Sequence, residues 1–207
     1  MKQFKTSLLL AFTLVSAGVS DQNKYVLSKG YAVTIKGTSN LHNWTETVGT
    51  VTGESMVNAN GNGSFDLKAV SINMAVRSIK SDEGGTMDKN TYKALKADAN
   101  PEITFSLTAP VNSFTLASPA KPIQSDPAAT TLSTKGNMTI AGVTKPVTMQ
   151  VNVFMPKKGV LEIEGSESIK MTDYGVKPPI ALLGMLKTGD EITIKFKTSF
   201  AMANGSI

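Results

Sequence analysis

The chain has 207 residues, with 21 basic and 16 acidic side chains, a net charge of +5, no cysteine and a single histidine, His42. The length suits one domain, because all-β barrels often run this long as a single unit. The missing cysteines exclude thiolate zinc sites, iron–sulfur clusters, thiol nucleophiles and dithiol redox centres. One histidine excludes a multi-histidine metal site and leaves His42 as the sole base for any Ser-His-Asp triad.

Lys2 and Lys5 precede a short apolar core, Leu8 to Val15, and the small residues from Ser16 to Ser20. This pattern predicts a secretory signal over residues 1–20, too short for a spanning helix, with cleavage after Ala17 or Ser20. No cysteine follows to carry a lipid anchor. A simple signal with Lys- and Asn-rich composition points to a bacterial protein of the periplasm or the exterior, with residues 21–207 as the mature domain. Losing residues 1–20 removes Lys2 and Lys5 and no acid, leaving 19 basic against 16 acidic side chains, or +3. The lysines are scattered and not set among aromatics, so no nucleic-acid partner is expected.

Lys29 to Thr38 reads as the first strand of the mature fold, with Tyr31, Val33 and Ile35 alternating against Ala32, Thr34 and Lys36. Ser39 to Trp44 is a loop or bend. Thr45 to Val57 is a second strand that Gly49 and Gly53 can bend, and Asn58 to Gly63 is a turn. Phe65 to Val76 is a third strand, with Val70, Ile72, Met74 and Val76 on one face. The period then changes: Met87, Thr91, Ala94 and Leu95 mark a short helical face within Thr86 to Lys96. Alternation returns from Glu102 to Ala109, with Ile103, Phe105 and Leu107 inward. Val111 to Leu116 is a weaker strand, and Pro119 to Pro127 reads as a surface loop.

The strongest pattern runs from Thr131 to Met155. Leu132, Met138 and Ile140 share a face with the small Thr134 and Gly136. Val147, Met149, Val151, Val153 and Met155 share a face on the second arm. Ala141 to Pro146 supplies the turn, so the pair is a long antiparallel hairpin. It cannot bury its apolar face alone and needs more strands. Val160 to Met171 follows, with Leu161, Ile163, Ile169 and Met171 aligned. Thr172 to Gly189 is a connection carrying the apolar run Ile180 to Leu186. Glu191 to Met202 closes the chain, with Ile192, Ile194, Phe196, Phe200 and Met202 aligned.

About eight strands, one short helix and no βαβ rhythm predict an all-β antiparallel barrel or sandwich. Strands of about 11 residues rise ~35 Å, and an eight-stranded barrel of that height can hold one small ligand. The expected inward wall comprises Val33, Ile35, Val70, Ile72, Met74, Ile103, Phe105, Leu107, Met138, Ile140, Met149, Val151, Ile163, Met171, Ile194 and Phe196. Its methionines form either an adaptable lipid-binding wall or an ordinary filled core. Ile180, Leu182, Leu183 and Met185 read as a lid or portal flap over the barrel mouth, or merely a plug, because an apolar loop left in water is costly and so is expected to cover something.

Other readings are weaker. His42 is expected to be a rim or packing residue, since a lone histidine without a positioned carboxylate and nucleophile seldom catalyses. Asp173 is expected to accept backbone N–H groups in a turn completed by Gly175. Lys145, Arg77 and Asp88 read as solvated or paired surface charges. An exported enzyme would have to use His42, Asp88 or Asp173, and no G-x-S-x-G or H-E-x-x-H accompanies them. An outer-membrane barrel would need apolar residues outward and aromatic girdles, against an aromatic content of 6%.

Four stretches carry a resemblance. They are Met87 to Leu95 followed by Asn100-Pro-Glu-Ile-Thr-Phe105; Gly136 to Val147, with its Gly-Val-Thr-Lys-Pro; Thr172-Asp-Tyr-Gly175; and Gly189-Asp-Glu-Ile-Thr-Ile194. In order and spacing the chain resembles the YceI-like, polyisoprenoid-binding proteins of bacteria, over about Lys24 to Ala203. Ala141 stands where many members carry histidine, and the 177–188 loop is longer and more apolar than in many. The resemblance implies an extended, eight-stranded, lipocalin-like barrel closed on one side by the helix. It further implies a polyisoprenoid, isoprenoid quinone or fatty-acid-like chain bound inside without catalysis, with no cofactor or metal required. An edge-paired homodimer is compatible with the strands, and stable membrane insertion is not expected.

Overall fold

The computed structural model describes residues 22–116, 129–181 and 185–203. The expected signal, the Pro119 to Pro127 loop, Leu182 and Leu183 lie outside the described residues. Thirteen strands are present among these residues: β1 Gln22–Leu27, β2 Ala32–Ser39, β3 Asn43–Val48, β4 Val51–Ala59, β5 Phe65–Ala75, β6 Ile79–Ser81 and β7 Glu102–Leu107 come first. β8 Val111–Phe114, β9 Thr130–Ile140, β10 Val143–Lys157, β11 Val160–Lys170, β12 Ile180–Ala181 and β13 Leu186–Met202 follow, and the helix α1 spans Gly85–Ala94 between β6 and β7.

Eight of the strands close a ring in the order β1-β4-β5-β7-β9-β10-β11-β13, and β13 returns to β1 through Tyr25 opposite Met202 and Leu27 opposite Phe200. Every neighbouring pair is antiparallel. Closure removes the exposed edges that an open sheet would leave. The fold is therefore the eight-stranded antiparallel barrel with a single short helix.

Its extension comes from β13, whose 17 residues exceed the span of any one partner on that side. Phe200 to Met202 pair with β1, whereas Thr188 to Lys197 pair with β2, which leads on to β3 and β6. β1 and β2 thus share one side of β13 end to end. β3 and β4 likewise read as one strand broken at Gly49 and Thr50, where the Gly49 N–H bonds the Ser78 carbonyl instead of a ladder partner. β1 lies before Lys29, where the sequence pattern places the start of the fold. Its alternation is short, and among its residues of described burial, Asn23 to Leu27, Tyr25 alone is deeply buried.

Residue parity settles which face is dry. In β9, Leu132, Thr134, Gly136, Met138 and Ile140 are buried and their neighbours are not. β10 continues the same face through Met149, Val151 and Val153. The connection is tighter than the sequence suggested: Ala141 and Gly142 alone make the turn, with φ of 50° and 83°, and Val143 already pairs Ile140. Two positive φ values are the mark of a type I′ hairpin. Pro146 is inside the strand, and pairing of β10 with β11 begins only at Val151, so its missing N–H breaks no ladder on that side.

Polar and charged residues such as Lys135, Thr148, Gln150 and Lys195 face outward. That is the reverse of a lipid-facing barrel. Among the described residues no helix is long and apolar enough to cross a membrane.

Candidate functional site

α1 covers one end of the barrel because three of its side chains, Asp88, Thr91 and Tyr92, latch it. The Asp88 carboxylate accepts the Ser81 N–H at 2.8 Å and the Lys80 ammonium at 2.8 Å. Those bonds hold the Asp88 carboxyl below its ordinary range, with Lys80 the larger influence. The Tyr92 hydroxyl reaches the Ile79 carbonyl at 2.8 Å, and the Thr91 hydroxyl donates to Glu46 Oε1 at 2.5 Å. Asp88 is therefore a buried latch, where the sequence suggested a surface charge, because its helix turns it toward β6. Met87, Thr91, Ala94 and Leu95 face the interior together, as their helical spacing requires.

Beneath the helix lies a mainly apolar cavity of about 310 Å³. This is near the lower end of the roughly 300–1,000 Å³ typical of small-molecule sites. A smaller void of about 80 Å³ continues along the barrel, and Ile194 lines both. The far end is solid: Val57, Leu161 and Phe200 are almost fully buried, and Leu67 and Phe200 form part of the inner void's wall. The interior is thus hollow at the helix end and plugged at the other, not open along its full height.

Of the sixteen expected wall residues, Ile35, Ile103, Ile140, Met171 and Ile194 line the larger cavity. Val33, Val70, Ile72, Met74, Phe105, Leu107, Met138, Met149, Val151, Ile163 and Phe196 line the smaller one. Small residues make room for large ones here. A Cβ on Gly136 would overlap the Phe105 ring, and one on Gly37 would overlap the Trp44 ring. Trp44 is fixed over Gly37 by its indole N–H, which donates to the Thr38 carbonyl at 3.0 Å.

The lid reading is corrected in part. Ile180 is 65% and Met185 71% exposed, so neither covers the cavity. Ile180 is itself paired, opposite Lys187, in the two-residue ladder of β12 with the start of β13, and Met185 lies in the turn just before Leu186. Pro179 and Leu186 line the mouth in their place. Asn40 ties this loop to the β2–β3 turn, donating to the Met185 carbonyl at 2.8 Å and accepting the Lys187 N–H at 2.9 Å.

The remaining polar candidates separate clearly. His42 is an exposed rim residue whose Nδ1 lies 3.2 Å from Glu83 Oε1. Asp173 is exposed, and its expected backbone-capping role falls to Asp190. The Asp190 carboxylate accepts the Thr172 N–H at 2.9 Å and the Thr172 hydroxyl at 2.6 Å, and these bonds lower its pKa. Gly175 does take the left-handed conformation, with φ of 66°. Arg77 pairs with Asp98 at the surface.

Three carboxyl groups on the cavity walls, Glu46, Glu83 and Glu167, are not singled out by the sequence, and two of them are perturbed by burial. Glu46 is 3% exposed and projects from β3 beside Ile35 and Ser81. Burial pushes its carboxyl up, against the lowering influence of Thr91, with Asp88 and Glu83 adding to the rise. Glu167 lines the inner void from β11, and burial raises its carboxyl too. Tyr174, buried in the wall of the larger cavity, is raised by burial, then by Glu167 and Asp173. The available signal was parity: Glu46 shares a face with Trp44 and Val48, and Glu167 with Gly165 and Ile169.

Fold and cavity together define a closed antiparallel barrel with an internal apolar site under a helix. The chain belongs to the YceI-like domain family, whose model matches residues 25–200. No curated protein matches it in sequence. Its fold is similar to a polyisoprenoid binding domain from Saccharophagus degradans implicated in plant cell wall breakdown. That likeness has a TM-score of 0.65 at 11% identity, covering 88% of this chain and 99% of the other. It is also similar to Burkholderia cenocepacia BcnA, with a TM-score of 0.54 at 18% identity, over 82% and 95% of the two chains. The Campylobacter jejuni YCEI protein aligns with a TM-score of 0.51 at 14% identity, over 99% and 100%.

Proposed function

We propose that this protein binds and carries, or sequesters, a long apolar lipid inside the barrel without transforming it, in the periplasm or outside the cell. The chain class is a polyisoprenoid, an isoprenoid quinone or a fatty-acid-like tail. The observation that carries this reading is the void of about 310 Å³ under α1, walled by Ile35, Ile103, Ile140, Ile169, Met171 and Ile194. Apolar surface withdrawn from water into such a void contributes roughly 25 cal/mol per Å². Methionine at 74, 138, 149 and 171 gives the wall a means of adapting to an irregular guest. The polyisoprenoid-binding domain of similar fold supports the same reading.

A catalytic reading draws no comparable support, since His42 and Asp173 are both exposed. Native mass spectrometry of the protein purified from its own host is the test. The expected result is a non-covalent adduct with the mass of one lipid, lost on extraction with organic solvent. Repeated recovery of the bare chain from lipid-replete cells would overturn the reading. The same spectra check export: a mature mass starting at Gly18 or Asp21, from material released by osmotic shock, is expected.

A further inference from the structure

We propose that Glu46 and Thr91 form a head-group site in the larger cavity, which takes a chain ended by an uncharged hydrogen-bond donor and disfavours one ended by phosphate or carboxylate. The hydroxyl of an isoprenoid alcohol is the simplest such end. This rests on the lipid-binding reading and adds where the polar end of the lipid sits.

A carboxyl group taken out of water is unfavourable unless its oxygens find partners. Glu46 is 3% exposed and lines the cavity, yet only Oε1 is bonded, by the Thr91 hydroxyl at 2.5 Å. Its Oε2 accepts no hydrogen bond from the described residues. A latch between β3 and α1 needs only the first oxygen, and Asp88 and Tyr92 already latch the helix. Glu46 lines an otherwise mainly apolar chamber, and its second oxygen is the acceptor this side chain has left to offer a guest. A guest hydroxyl donating to it would complete the carboxyl's bonding.

The charges around the chamber select against anions. No lysine or arginine lines either cavity among the described residues. The charged side chains that do are Glu46, Glu83 and Glu167, with His42 already beside Glu83. On the packed helix, Asp88 adds negative charge, and Lys80, the nearby cation, is bound to it. A phosphate or carboxylate would lose its hydration and meet like charge with no cation to receive it.

The test uses three probes with one tail: farnesol, farnesyl methyl ether and farnesyl phosphate. Each is titrated into the delipidated protein to displace a fluorescent apolar reporter. Farnesol is expected to bind about fivefold tighter than the ether, the worth of a hydrogen bond of about 1 kcal/mol, and at least tenfold tighter than the phosphate. Glu46→Leu is expected to erase the alcohol–ether difference. Glu46→Gln is expected to keep it while improving phosphate binding at least threefold. Glu54→Gln, on the exposed outer face of β4 where it pairs with Lys24, is expected to leave the alcohol–ether difference unchanged. Equal affinity for all three probes, tightest binding of the phosphate, or a parallel loss for every probe in Glu46→Leu would overturn the head-group site. If Glu46→Leu does not fold, an unchanged alcohol-to-phosphate ratio in Glu46→Gln overturns it alone. Failure of every farnesyl compound to displace the reporter would instead remove the lipid reading itself, and this site with it.

Discussion

Single residues in this barrel act through the space they leave or the proton they hold. Gly37 lies opposite Trp44, and the indole occupies the place of its missing side chain. Gly37→Ala is expected to cost about 1–3 kcal/mol, as for an overpacked core. Gly61→Ala, where nothing lies within 4 Å, is expected to be near neutral; urea midpoints of the two variants check this. Glu46 makes stability depend on pH. Its carboxyl titrates above its ordinary value of 4.5, chiefly through burial. The folded protein therefore holds that proton more tightly than the unfolded chain does. The group's contribution is complete below 4.5 and is lost as pH rises through the folded-state value. Glu46→Gln, which stays neutral, is expected to match the parent near pH 4 and to exceed it in stability by pH 8. Denaturation across that range is the check, and an equal difference at both ends would contradict it.

Elements are set by where alternation is broken. Gly49 and Thr50 divide one long strand into β3 and β4, so that each half serves a different stretch of its neighbours. The β9–β10 turn carries a fault that substitution can mend. Ala141 holds a φ of 50° and pays the left-handed penalty that Gly142 escapes. Ala141→Asn, whose side chain tolerates that region, is expected to stabilise the protein by about 1 kcal/mol without changing the register. A rise in thermal midpoint with an unchanged circular dichroism spectrum is the expected observation. The two-residue connection also shows why a six-residue turn was read there: Pro146 looked like a strand start, yet it lies where β10 has no second partner.

At the scale of the molecule, ring closure turns eight half-dry strands into a container. The far end is filled by Leu67, Leu161 and Phe200, so capacity depends on the chamber beneath α1 and its narrow continuation. Ile194 stands where the two meet. Ile194→Trp is expected to fill that junction and shorten the longest chain bound, read as a shift to lighter lipids in native spectra. The melting temperature of the lipid-free protein is expected to change far less than the lipid-induced shift, because the added ring enters existing space.

The dry faces, the hairpin, the helix and the all-β antiparallel class follow from the chain alone, because period-2 and 3.6-residue spacing are properties of adjacent residues; barrel rather than sandwich was decided by the pairing of β13 with β1. All sixteen inward positions read that way lie on a cavity wall. Contacts between distant residues decided the rest. Asp190 rather than Asp173 receives the Thr172 N–H, since β13 brings residue 190 back beside the turn after β11. Whether inward side chains touch or leave a void depends on how rings such as Phe105 and Trp44 settle over glycines of neighbouring strands. Alternation specifies which way a side chain points; only the closed barrel specifies what it meets.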